Sequence, residues 1–74
     1  MICELRVMKQ GEGDVTIRWN PDNPWEVQEA KTQFDRLRKK GHIAHKMKGG
    51  EKTAITEFDP MAKVIVMGPI PVGG

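Results

Sequence analysis

The sequence has no tyrosine, two phenylalanines, two tryptophans and a single cysteine. With Cys3 alone, no internal disulfide can brace the chain and no cysteine-based zinc site can be assembled within it, so stability has to come from packing. The scarcity of rings and a formal charge of only +2 argue against a nucleic-acid module, which needs a strongly basic face set with stacking side chains. No apolar run approaches the roughly 20 residues that span a bilayer, and the start Met-Ile-Cys-Glu-Leu-Arg lacks the basic, apolar, small-residue order of a signal peptide. The expectation is a cytoplasmic protein with no membrane segment. At 74 residues the chain lies near the lower size limit for a free-standing domain, where one core fits and about 60% of the unfolded surface can be buried.

What is present is patterned. Ile2 to Met8 alternates, with Cys3, Leu5 and Val7 on one side and Glu4, Arg6 and Met8 on the other, the period of a half-buried strand. Gly11-Glu12-Gly13-Asp14 supplies turn residues, and Val15, Ile17 and Trp19 then share a face, which completes an N-terminal β-hairpin. Asn20-Pro21-Asp22-Asn23-Pro24 stops the second strand. Asn23 is placed to cap a helix over roughly Pro24 to Lys40, with Glu26 three residues on able to reach back. Val27, Ala30, Phe34 and Leu37 form its apolar stripe, acidic residues open it, Arg36, Arg38, Lys39 and Lys40 close it, and Gly41 provides a left-handed stop.

His42 to Met47 reads as a third strand, with Ile43, His45 and Met47 on a common face. Lys48 to Lys52 reads as a turn or loop, Thr53 to Phe58 as a short edge strand, and Asp59-Pro60-Met61-Ala62 as a capped single turn. Lys63 to Met67 is apolar without a break. Such a strand is central, covered on both faces, or covered by the helix on one face and by a partner on the other. The order is β-β-α-β-(β)-β: an α+β domain over residues 1–68 with one helix on a four- to five-stranded mixed sheet, strands one and five central, followed by an extended tail at 69–74.

That tail holds Pro69 and Pro71 and closes on Gly73-Gly74. A strand, a proline-bearing extended segment and Gly-Gly, behind a β-β-α-β-β order, resemble the β-grasp sulfur carriers, namely the small subunit of molybdopterin synthase and the thiamine-pathway carrier, and more loosely ubiquitin. The resemblance implies that an activating enzyme adenylates the carboxylate of Gly74, with Gly73 beside it, and converts it to a thiocarboxylate or an isopeptide. It covers the tail motif and the topology; Gly49 to Phe58 and Trp19 to Pro24 depart from the family pattern.

Other candidates are weighed against plainer roles. Arg36, Lys39, Lys40, Lys46 and Lys48, with Arg38 and Lys52, could form one positive patch for an acidic partner protein, although cations at a helix end first of all complement its dipole. Trp25 is a partner anchor if exposed. His42 and His45, three apart on a strand, point to opposite faces and cannot easily share a metal. Cys3 lies on the inward face, where a free thiol is a small hydrophobe rather than a nucleophile. Neither a catalytic residue nor a cofactor is indicated.

The leading expectation is therefore a non-enzymatic, ubiquitin-like protein-interaction domain, with Gly73 and Gly74 as an activation or docking point. The alternatives are a phage or mobile-element accessory protein that self-associates or joins a larger assembly through an edge strand or the final strand, and nucleic-acid binding through the basic helix end.

Overall fold

The computed structural model describes residues 1–8 and 14–69. Five strands and one helix follow in the order β1 (Cys3–Val7), β2 (Val15–Trp19), α1 (Pro24–Lys39), β3 (His42–Lys48), β4 (Glu51–Ile55) and β5 (Val64–Pro69). The strands form one mixed sheet in the order β2-β1-β5-β3-β4. β1 runs parallel to β5, and the remaining neighbours are antiparallel. This small α+β architecture is compatible with a β-grasp, and strands one and five are interior as the apolar pattern implied. Gly11 to Gly13 of the expected Gly11–Asp14 turn and the tail from Ile70 to Gly74 lie outside the described residues.

The helix starts where the sequence places it. The Asn23 side chain accepts the N–H groups of Trp25 at 3.0 Å and Glu26 at 3.4 Å, satisfying two donors that have no partner within the helix. Glu26 reaches back as expected, but its carboxylate accepts the backbone N–H of Asn20 at 3.0 Å and the Asn23 side-chain amide at 2.8 Å. Thus the Asn20–Asn23 linker is tied to the first helical turn. At the other end Lys40 is the C-cap and Gly41 takes φ +93°, a conformation that a side chain disfavours.

One face of the sheet and one face of the helix make the core. Ala30 and Phe34 are buried, with Val27 and Leu37 packed beside them, so the predicted stripe is the buried one. Cys3, Leu5 and Val7 meet it from β1, Trp19 from β2, Ala44 from β3, and Ile65 and Met67 from β5. Burial pushes the Cys3 thiol pKa up, in keeping with an inert packing role.

Several boundaries move. The loop expected over Lys48 to Lys52 shrinks to Gly49-Gly50, both at positive φ (56° and 83°), and the strands continue to Lys48 and from Glu51 as a hairpin. β4 therefore ends at Ile55, and Phe58 leaves the expected strand to pack on Trp19 and Phe34, with ring centroids 5.1 and 5.6 Å away. The Trp19 indole N–H donates to the carbonyl of Pro60 at 3.0 Å. Asp59 caps the following turn as predicted, accepting the N–H of Met61 on its side chain and that of Ala62 on its carbonyl. Pro69 belongs to β5 rather than to the tail. The Met67 carbonyl accepts the N–H of Met8 on the β1 side, so alternation turns the missing N–H of Pro69 to that same side, beyond the end of the β1–β5 pairing.

Candidate protein-docking face

The helix covers one side of the sheet. The other side is built by the alternate residues of each strand, and the register aligns them: Ile43 opposite Gly68, His45 opposite Val66 and Met47 opposite Val64. Lys52 and Ala54 of β4 continue the row beside Met47 and His45. Glu4 and Arg6 of β1, Met8 just past its end, and Thr16 and Arg18 of β2 extend it the other way, with Glu4 paired to Arg18 and Arg6 to Thr16. The result is an apolar stripe over β3 and β5 on a face that no helix of the described residues covers. A depression of about 270 Å³ opens in it, bordered by Met8, Ile43, His45, Lys52, Val66 and Gly68.

Charges rim this stripe. Arg6 donates to one Glu4 carboxylate oxygen through Nε and Nη2, at 3.1 and 2.9 Å, and Arg18 Nε donates to the other at 3.3 Å. The Arg6 hydrogen bond, reinforced by Arg18, holds the Glu4 carboxyl below the ordinary glutamate range. With this single carboxylate shared by two guanidiniums and Lys52 across the sheet, the ionised strand residues on the face sum to a net positive charge. Among the strand residues that line it there is no phenyl or indole ring on which a base could stack.

No family model, curated protein or solved structure matches the chain.

The residues singled out in the sequence do not converge on one surface. Arg36 and Lys39 occupy the last turn of α1, with Lys40 capping it, next to the start of β3. Lys46 and Lys48 lie toward the far end of β3; at ~3.3 Å per residue, Lys48 is about 20 Å along the strand from His42. Lys46 is paired with Asp59 at 3.3 Å on the helix side of the sheet. The extended strand thus divides the single basic patch that the sequence suggested. Trp25 is 84% exposed on the first helical turn, packed neither on Trp19 nor into the core. His42 and His45 do point to opposite faces, and among the described residues no group of three His, Cys, Asp or Glu side chains could hold a metal. Gly73 and Gly74 lie outside the described residues.

The face itself contains residues that the sequence reading had not assigned to a site: Ile43, His45, Val66 and Gly68. Two signals pointed to them. β5 is apolar at Val64 and Val66 as well as at the buried Ile65 and Met67, and β3 carries Ile43 and Met47 on the side opposite its buried Ala44.

Proposed function

We propose that this chain is a small, non-enzymatic, ubiquitin-like protein-interaction domain that docks its partner through the helix-free face of the sheet. One observation carries the reading: β3 and β5, two of the three inner strands, present aliphatic side chains on both of their faces, and among the described residues only one face has a helix to cover it. A half-solvated antiparallel or mixed sheet needs apolar residues on its inner face alone. A continuous apolar stripe on the outer face marks an interaction surface, and here it has the apolar centre and polar rim of protein interfaces.

Photo-crosslinking in cells tests this. A benzophenone amino acid at Ala54, inside the face, is expected to yield a discrete protein adduct that disappears when Val66→Glu is added. The same probe at Gln28, on the exposed side of α1, is expected to yield none. The partner identified by mass spectrometry and purified should then perturb amides of β1, β3 and β5 in NMR spectra. Adducts that follow Gln28 instead, or amide shifts confined to α1, would sink the proposal. Docking through this face suits a covalent carrier and a non-covalent adaptor alike. Removal of Gly73 and Gly74 with docking intact but the biological effect lost identifies the carrier that the sequence resemblance implies.

A further inference from the structure

Gly68 sits inside β5, the middle strand of the sheet, where glycine is a poor choice for the fold. It loses more backbone entropy on ordering than any other residue and gives its neighbours nothing to pack against. Glycine persists in strands for a bulge, a bend that requires positive φ, crowding by nearby atoms, or close approach of a ligand. The first three reasons fail here. The register of β5 with β3 runs unbroken through Ala44–Met67, Ile43–Gly68 and His42–Pro69, so there is no bulge. Among the described residues the glycines at positive φ are Gly41, Gly49 and Gly50, and Gly68 is not one of them. A Cβ built on Gly68 would meet no atom within 4 Å.

That Cβ would project onto the helix-free face, because Gly68 alternates with the buried Met67 and lies on the same side as Val66. The missing side chain leaves a notch in the apolar stripe, walled by Ile43, Val66 and Met8 and coinciding with the depression described above. We infer that Gly68 determines specificity on the docking face: its empty position receives one bulky apolar side chain from an acidic segment of a partner protein. The apolar walls select the anchor. The net positive rim of Arg6, Arg18 and Lys52, with Glu4 already shared between two arginines, selects its acidic neighbours. A second copy of this chain would present the same positive sign to that rim and be repelled.

This inference rests on the docking reading, and one experiment separates the two. A random dodecapeptide display library is selected on the immobilised protein, and the recovered peptides are measured against four purified forms. Peptides with a single Leu, Phe, Met or Trp flanked by Asp or Glu are expected. Gly68→Val, which fills the notch, should weaken them at least about tenfold, Gly68→Ala less. Both variants should unfold at or above the wild-type temperature, because strand propensity rises. Val66→Glu should abolish binding. Peptides that tolerate Gly68→Val but not Val66→Glu overturn the notch and leave the face standing; peptides indifferent to both overturn both. Failure to enrich any such peptide, or a Gly68→Ala variant that does not fold, also overturns the notch. Light scattering that finds a dimer broken by Gly68→Val would overturn the acidic partner in favour of a second copy.

Discussion

Replacing Phe58 by alanine tests whether the connection from β4 to β5 is part of the core or merely spans it. The ring is partly buried and touches two of the largest core side chains, Trp19 and Phe34. Full burial would make the loss about 3–5 kcal/mol; with some exposure already present, about 2–3 kcal/mol is expected. The whole fold, at 74 residues, is worth only ~4–11 kcal/mol. Each kcal/mol moves the thermal midpoint of a domain this small by about 4–8 °C, so a drop of about 10–20 °C follows. In urea, with a slope near ~1 kcal/mol per molar, the midpoint should fall by about 2–3 M, and Phe58→Leu should lose less than about 1.5 kcal/mol. Chemical denaturation followed by tryptophan fluorescence gives both values, since Trp19 lies against the ring. A midpoint shifted by less than about 0.5 M would refute the reasoning, and residues 56–63 would then be a passive link.

Other substitutions probe single contacts. Asn23→Ala removes the acceptor for two helix N-terminal amides and should destabilise by about 1 kcal/mol in the same urea assay, while Asn23→Asp keeps that acceptor but sets a carboxylate against the one of Glu26 and should recover only part of the loss. Gly41→Ala places a side chain at φ +93° and should destabilise by about 1–2 kcal/mol, although nothing crowds the site; an unchanged midpoint would contradict the left-handed stop. Because the folded-state pKa of Glu4 is lowered, its pairing with Arg6 and Arg18 stabilises above the ordinary carboxylate range and is lost as pH falls through the depressed value. Carboxyl NMR titration should place its midpoint below that of a model glutamate, and Arg6→Met should move it back up.

The helix, its cap and the inward set of β1 were legible because each depends on neighbours in sequence: a repeat of Val27, Ala30, Phe34 and Leu37, an asparagine two residues before the amide it binds, an alternation of Cys3, Leu5 and Val7. What was not legible depends on distant residues. Nothing local says that Ala44, rather than Ile43 or Met47, faces the helix; that follows from the register of β3 against β5. Phe58 has strand propensity, yet the aromatic contacts with Trp19 and Phe34 take it out of β4 and into the core. Pro69 reads as a strand breaker until the end of its β1 neighbour is known. The docking face was legible only in part: the unbroken apolar run of β5 implied a partner on its second face, but not which residues of the other strands share that face. Its members come from all five strands, and only the sheet order brings Met8, just past the first, to Gly68 of the last.

The hairpins β1-β2 and β3-β4 share no edge with each other; β5 alone bridges them, joining Leu5 to Ile65 and Ala44 to Met67. A nascent chain can make both hairpins and the helix early, but it cannot close the hairpins into one sheet until β5 has emerged. Folding thus waits on the keystone strand, and its slow step should be the long-range insertion of β5 rather than any local turn.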